Sequence, residues 1–85
     1  MELVLAVFRS RSETINFANI LKSYGVVVMI VTTPRQINVS CGISARFRKE
    51  FLEKAKEILA RRKFATFARF YQIKYVGART NYNLV

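Results

Sequence analysis

Cys41 is the one residue of this chain whose type and setting could support group-transfer chemistry. It is the only cysteine among 85 residues, and it lies near the end of segment 32–44, which also contains the only proline, Pro34, and one of three glycines, Gly42. Because Gly and Pro are scarce elsewhere, this density of turn-forming residues predicts an ordered loop. We therefore expect the thiol at the end of that loop, between polar Ser40 and Gly42, with Pro34, Ser40 and Gly42 shaping it.

Two arginines flank this thiol in the sequence, Arg35 before it and Arg46 after it. Cations and converging backbone N–H groups stabilise a thiolate, so we expect both guanidinium groups to act on the Cys41 sulfur. A thiol without a resolving cysteine or a general base is poorly equipped for hydrolysis. It is well suited to hold a transferable atom, such as sulfane sulfur or selenium, and to pass it on.

The same residues also have structural interpretations. A single cysteine in a small domain is frequently a buried apolar residue. The Pro34-Arg35 pair could simply form a turn, with proline fixing φ at the second turn position. The sequence leaves the carrier and the structural interpretation of Cys41 open.

The chain contains no histidine and no aspartate. This excludes imidazole-based metal sites and the Ser-His-Asp and Cys-His catalytic arrangements. We therefore expect no metal and no cofactor, and a carrier or binding protein more than a true enzyme. No stretch resembles a signal peptide or approaches the ~20 apolar residues of a membrane span, so a cytoplasmic protein with a reduced thiol is expected.

The charge is strongly basic, with 15 Lys and Arg against five Glu and a formal net charge of +10. Such a balance favours an anionic partner, whether nucleic acid, an acidic protein surface or an anionic small molecule. The composition does not choose among them.

Hydrophobic periodicity predicts six elements in the order strand, helix, strand, strand, helix, strand. Their ranges are 3–8, 11–24, 26–31, 43–47, 49–62 and 67–76. This order is that of the ferredoxin-like βαββαβ sandwich, an α+β fold with a four-stranded sheet. Two helices would cover one face and leave the other face free. We predict one domain over residues 1–77 and a C-terminal tail over 78–85.

The start of the first helix carries a capping signature. Ser10 and Glu13 have the spacing of a capping box, in which the glutamate reaches back to the cap residue, and Gly25 stands where a helix-ending glycine belongs. Arg9 and Arg11 could also help this helix N-terminus to bind an anion. The sequence leaves open whether this region lies near the loop that carries Cys41.

The last predicted strand is both basic and aromatic. Tyr71 and Tyr75 are expected on one face, together with Phe67, Arg69 and Ile73. Sheets of this topology can bind single-stranded RNA by stacking bases on exposed aromatic rings. The aromatic signature of that class of RNA-binding domain is absent, however. A core on one side and a dimer surface on the other is the competing interpretation.

Segment 33–47, TPRQINVSCGISARF, resembles the Pro-Arg-x-Ile/Leu-Ser-x-x-Cys-Gly-x-x-x-Arg-Phe stretch of the small selenium/sulfur carrier-like proteins. Segment 8–10, Phe-Arg-Ser, is similar to that family's Phe-x-Ser stretch, and the resemblance covers residues 3–60. It implies that Cys41 is the carrier residue and that Pro34, Arg35 and Gly42 shape its loop. Asn38 stands where the family has Ser, and the basic pair Arg48-Lys49 replaces a more acidic start of the second helix.

Three hypotheses follow from these observations. In the first, Cys41 receives sulfur or selenium from a donor enzyme, such as a cysteine desulfurase, and delivers it to an acceptor protein. In the second, the chain is a non-catalytic basic module that binds nucleic acid or an acidic protein, and Cys41 is structural. In the third, it is a scaffold domain that forms a homodimer through its last strand.

Overall fold

Five strands and two α-helices make up the described part of the chain, residues 2–37 and 40–85 of a computed structural model. Asn38, which departs from the family motif, lies outside the described residues. The elements are β1 Leu3–Phe8, α1 Arg11–Ser23, β2 Met29–Thr32, β3 Ile43–Arg48, α2 Leu52–Arg61 with a short 3-10 helix Lys49–Phe51 before it, β4 Phe67–Val76 and β5 Arg79–Leu84.

The five strands form one sheet in the order β2-β3-β1-β4-β5, and every pair of neighbours is antiparallel. β1 therefore occupies the centre, between β3 and β4. The predicted antiparallel pairing of the second and third strands is confirmed. The four-stranded ferredoxin-like sandwich is confirmed only at the level of its α+β class with two helices, because the sheet has a fifth strand.

The fifth strand lies in the segment predicted to be a tail. The chain turns at Gly77 and Ala78 and pairs Arg79 with Val76, so β5 runs back along β4. Gly77 has a φ of 60°, and a positive φ at the first loop residue alone is the pattern of a type II′ hairpin. The tail prediction was wrong because residues 79–84 contain two asparagines, which disfavour strands in isolation, and yet gain a full set of partners from β4.

The helix-covered face of the sheet holds the main core. Alternate residues of β1 point to this side, and α1 and α2 both pack on it. The buried members of this core are Val4, Ala6, Phe8, Phe17, Ala18, Leu21, Val26, Val28, Ala45, Phe47, Leu52, Ala55, Ile58 and Phe70. Ring centroids of Phe8 and Phe17 lie 5.2 Å apart, so the first strand and the first helix are joined by direct aromatic packing.

The helix-free face carries a second, smaller cluster. Leu5 and Val7 of β1 and Ile73 of β4 are buried there together with Ile37, which belongs to the loop between β2 and β3. The loop therefore folds across the middle of this face. The expectation that the face is free of cover is wrong at its centre, because an apolar loop residue gains more by burial than by exposure.

The predicted ends of β1 and β4 are confirmed, those of α1 and β3 are confirmed to within one residue, and those of β2 and α2 differ more. α1 ends at Ser23, and Gly25 adopts a φ of 84° while its N–H donates to the Lys22 carbonyl at 2.9 Å, as predicted. β2 begins at Met29, later than predicted, although Val26 and Val28 are buried in the main core. Val26 and Val28 are therefore apolar because they pack in the core, and not because they belong to a strand.

A register shift in β1 at Val7/Phe8 changes the predicted faces of β4. Phe8 pairs with Phe67 and Val7 with Arg69, so Ala68 is the extra residue of a β-bulge. The Phe67 ring consequently packs on the helix-covered side, 4.9 Å from Phe70. The prediction that Phe67 shares a face with Tyr71, which assumed strict alternation along the strand, is therefore wrong.

Candidate thiol site

Cys41 lies where the long loop rejoins the sheet. Its backbone N–H donates to the Phe8 carbonyl at 3.3 Å, at the end of the central strand β1. One residue later, the Gly42 carbonyl accepts from the Thr33 N–H at 2.9 Å, which closes the base of the loop. The side chain of Cys41 is half-buried. Two backbone hydrogen bonds therefore fix the position of this half-buried residue.

The sulfur atom has two polar neighbours. Cys41 Sγ lies 3.7 Å from Thr14 Oγ1 and 3.6 Å from the Ile43 carbonyl oxygen. The Thr14 hydroxyl is fully buried and also donates to the Ser10 carbonyl at 2.9 Å. The Thr14 hydroxyl has one proton, which it donates to Ser10. A protonated Cys41 thiol is therefore a donor itself, either to Thr14 Oγ1 or to the Ile43 carbonyl. A thiolate would be stabilised if the Thr14 proton turned from Ser10 toward the sulfur.

Thr14 belongs to the first turns of α1, so the thiol lies beside the helix N-terminus. Ser10 caps this helix, and its Oγ accepts from the Glu13 N–H at 3.2 Å. Helix N-termini stabilise negative charge through their free N–H groups and the helix dipole. The sequence left open whether the start of α1 and the thiol loop meet. The contacts of Cys41 with Phe8 and Thr14 show that they do.

The structure does not bring the two predicted arginines to the sulfur. Arg46 lies opposite Leu5 on the helix-free face, whereas the Cys41 thiol contacts Thr14 of α1. Arg35 is exposed in the loop. Within residues 2–37 and 40–85, no hydrogen bond or ion pair links either guanidinium to Cys41. Nearness in sequence was a poor guide here, because alternate residues of a strand point to opposite faces.

Two other arginines belong to the elements that hold the thiol. Arg9 directly follows Phe8, and its N–H donates to the Thr66 carbonyl at 2.9 Å, while Arg11 is the first residue of α1. Both side chains are exposed. The sequence placed them at the helix N-terminus without connecting them to Cys41. Their connection to Cys41 depends on the hydrogen bond between the loop and the end of β1, which local sequence patterns do not reveal.

The three residues predicted to shape the loop act in different ways. Pro34 opens a turn that the Ile37 N–H closes on the Pro34 carbonyl at 3.0 Å, so proline occupies the first turn position and not the second. Ser40 Oγ accepts from the Gly42 N–H at 2.9 Å. Gly42 has a φ of 99°, which side chains with a Cβ rarely adopt. Together they bend the chain on either side of Cys41.

Ile37 is the loop residue that sequence reasoning missed. Its side chain is buried against Leu5, Val7 and Ile73, which ties the loop to the helix-free face. A lone apolar residue between polar neighbours carries no periodic pattern. Its role becomes visible only once the loop is known to cross the sheet.

Glu13 has a different partner from the one predicted. Its carboxylate accepts from the Ala65 N–H at 3.2 Å and from the N–H and hydroxyl of Thr66, the former at 2.9 Å. These hydrogen bonds, led by that of the Thr66 hydroxyl, hold the pKa of Glu13 below its ordinary value. The reciprocal half of the capping box is therefore wrong. Glu13 instead fastens the start of α1 to the segment that precedes β4.

The part of the chain that the structure describes contains no group of three or more His, Cys, Asp or Glu side chains able to hold a metal ion. Across the same residues, neither helix combines the length and apolar character needed to cross a membrane.

Comparison with known proteins adds a family to this geometry. Residues 3–71 match the family described as putative Se/S carrier protein-like. The match extends beyond residue 60, where the resemblance seen in the sequence ended, and continues into β4. No curated protein and no solved structure matches the chain significantly. Since most of the domain is covered, from β1 through the thiol loop to the first half of β4, the chain belongs to the Se/S carrier protein-like family.

Proposed function

We propose that this protein carries a sulfur or selenium atom on Cys41, as a persulfide or selenosulfide, between a donor enzyme and an acceptor. The observation that carries the proposal is the setting of the only thiol in the chain. It is half-buried, fixed by backbone hydrogen bonds and placed at the N-terminus of α1. Membership of the family supports the same assignment.

The loading step is an exchange at sulfur. The Cys41 thiolate attacks the terminal sulfur of a persulfide on a donor enzyme, such as a cysteine desulfurase. A new S–S bond forms to Cys41 while the donor's S–S bond breaks, and the donor cysteine leaves as a thiolate. Two electrons stay with each departing sulfur, so no external oxidant or reductant is needed. Delivery repeats the exchange, with an acceptor nucleophile attacking the terminal sulfur and the Cys41 thiolate leaving.

Thr14 acts as a positioning residue in this scheme. Its hydroxyl is 3.7 Å from the sulfur and can donate to a thiolate, which is the species that attacks in loading and leaves in delivery. The α1 N-terminus favours the same charge. Neither group removes a proton from a substrate, which agrees with exchange chemistry rather than hydrolysis.

The exposed guanidinium groups of Arg9 and Arg11 are the parts of this site that a donor protein would meet. Both lie on the elements that contact Cys41, and within the described residues neither takes part in an ion pair. A donor with an acidic rim around its persulfide would be steered to them.

Intact mass after incubation with a cysteine desulfurase and cysteine tests the carrier role. The wild type should gain the mass of one or more sulfur atoms and lose it on addition of reductant, while Cys41→Ser gains nothing. A wild type that gains no adduct, and whose thiol alkylates no faster than free cysteine, contradicts the proposal.

A pair of variants tests the contribution of Thr14. Thr14→Val removes the hydroxyl with little change in volume, and Thr14→Ser retains it. We expect slower alkylation and slower persulfide loading in Thr14→Val, with Thr14→Ser close to the wild type. Since the residue is fully buried, thermal unfolding should be measured alongside. Equal loading rates in both folded variants would remove Thr14 from the mechanism.

A further inference from the structure

The helix-free face of the sheet has a charge pattern unlike the rest of the molecule. Among the described residues, no strand residue that points to this side is acidic, whereas Arg46 and Arg69 both do point to it. Within residues 2–37 and 40–85, neither arginine takes part in an ion pair. The glutamates lie elsewhere, with Glu53 and Glu57 on the exposed side of α2 paired to its own basic residues. Arg48, opposite Leu3 at the edge of this face, is paired with Glu50, so within the described residues Arg46 and Arg69 are the arginines that leave the face cationic.

Three tyrosines stand on the same side. Tyr71 and Tyr75 lie on β4, and Tyr82 lies on β5 opposite Ile73, which is midway between them. Residues two apart on one strand face are about 7 Å from each other, so the three rings form a compact group. Tyr75 is 64% exposed, and the other two are half-buried. The aromatic surface is thus available from solvent.

Two cavities lie beside Tyr82, so the surface around the three tyrosines is recessed and not flat. One, of about 280 Å³, lies between loop residues Gln36 and Ile37 on one side and residues 80–83 of β5 on the other. The other, of about 130 Å³, is lined by Arg46 and Tyr75 among others. The recesses beside Tyr82 leave room for a planar group that stacks on its ring.

We propose that these five residues, Tyr71, Tyr75, Tyr82, Arg46 and Arg69, which we term the tyrosine face, bind single-stranded nucleic acid. Unstacked bases lie on the tyrosine rings, and the arginines contact the phosphates. A rigid duplex keeps its bases stacked inside and cannot use the rings. An acidic segment without aromatic side chains would pair with the cations but would have nothing to stack on the tyrosine rings, so nucleic acid accounts for more of the surface.

This role is separate from the proposed carrier function. Cys41 contacts Thr14 of α1, whereas the tyrosine face lies on the helix-free side of the sheet. Cys41→Ser should therefore bind nucleic acid like the wild type. A failure of persulfide loading leaves this proposal unaffected, and the reverse also holds.

Fluorescence anisotropy with a labelled mixed-sequence single-stranded RNA, and with single-stranded DNA of the same sequence, tests the proposal. Tyr75→Ala should weaken binding by about fivefold or more, as expected for loss of one stacked base, and Tyr75→Phe should restore it. Tyr24→Ala is the matched control. Tyr24 is also an exposed tyrosine, 51% accessible, but it lies in the helix layer with the Lys54 ammonium over its ring.

The arginines are tested through salt dependence. Arg69→Ala should reduce the slope of log affinity against log salt by about 0.7, because one phosphate is no longer neutralised. Arg62→Ala removes another exposed arginine, at the end of α2, and should leave the slope nearly unchanged. This comparison separates a located site from general attraction by the net charge.

Several results would overturn the proposal. One is equal binding of the single strands and of a duplex of the same length. Another is equal binding of a polyglutamate peptide, which would point to an acidic protein. Equal losses in Tyr75→Ala and Tyr24→Ala, or no loss in either, would show that the tyrosine face is not the site. A preference between the RNA and DNA probes would identify which nucleic acid is bound.

Discussion

The two faces of the sheet use different aromatic residues. Six phenylalanines meet on the helix-covered face, with neighbouring ring centroids 4.9 to 6.4 Å apart. Three of the four tyrosines lie on the helix-free face. A buried phenol needs a hydrogen-bond partner, whereas a buried phenyl ring does not. Phe is therefore suited to the stable core, and Tyr to a surface that stays in contact with water or a ligand.

The difference also separates stability from binding. Two helices cover the phenylalanine core, whereas among residues 2–37 and 40–85 a single buried loop residue, Ile37, covers the centre of the other face. We infer that most of the free energy of folding comes from the helix side. The opposite side can then expose rings and cations with little loss of stability.

Phe17→Ala should show the largest effect. Phe17 is fully buried among other phenylalanines, and truncation should lower the free energy of unfolding by about 3–5 kcal/mol. Tyr75→Ala, an aromatic truncation on the other face, should change it by no more than about 0.5 kcal/mol. Urea unfolding followed by circular dichroism measures both, with Phe17→Leu as the milder variant if Phe17→Ala does not fold. Similar losses at Phe17 and Tyr75 would remove the distinction between the faces.

Ile37→Ala measures how firmly the loop is attached to the helix-free face. We expect a loss of about 2 kcal/mol, at the low end for a buried isoleucine because one side of the site is a loop that can close over the gap. Ile15→Ala, on a 40% exposed residue of α1, is the control and should be close to neutral. The same unfolding experiment applies. A loss as large as that of Phe17→Ala would mean that the loop is an integral part of the core.

Gly42→Ala tests the point at which the chain passes from the loop back into the sheet. A Cβ added at Gly42 would meet open space, so the cost is that of a positive φ alone, about 1–2 kcal/mol. Gly25→Ala shares the positive φ and the open space and should cost a similar amount. Only Gly42→Ala should also slow persulfide loading of Cys41 in the mass assay. Unchanged loading would show that the thiol does not depend on this backbone conformation.

Glu13→Gln should have the smallest effect at neutral pH and a distinct dependence on pH. Because the folded pKa of Glu13 is lowered from 4.5, its ionised form stabilises the fold above that pH. This contribution is lost as pH falls through the lower folded pKa. The difference in urea midpoint between wild type and variant should therefore shrink on acidification from neutral pH to about pH 3. A difference that stays constant with pH would show that the hydrogen bonds to Ala65 and Thr66 do not depend on the carboxylate charge.

The sequence predicted the elements whose signals are local. β1 is an unbroken apolar run, α1 carries its own Ser cap and terminal glycine, and both were found where the pattern indicated. β5 was missed although Thr80, Tyr82 and Leu84 alternate in it. Asn81 and Asn83 lower strand propensity, and their strand conformation depends on pairing with β4.

The sequence singled out Cys41 as the centre of a candidate site and indicated little of what surrounds it. Cys41 and Gly42 were identified from residue type alone. Thr14 was not, because it is 27 residues away and becomes a neighbour only through the pairing of the loop with β1. Arg46 was assigned to the sulfur from its nearness in sequence, although it points to the other face of β3. Contacts between distant segments are what local patterns cannot supply.

The central position of β1 limits how the protein can be shortened. β1 comes before the other four strands in this sequence, yet it needs β3 on one side and β4, which begins at Phe67, on the other. Until the C-terminal third of the chain is present, one edge of an almost wholly buried strand lacks its partner. A fragment that ends after α2 would contain the whole family motif and Cys41, but we expect it to aggregate rather than fold. The smallest fragment that folds around Cys41 therefore has to include β4, a strand that makes no hydrogen bond to the thiol in the described residues.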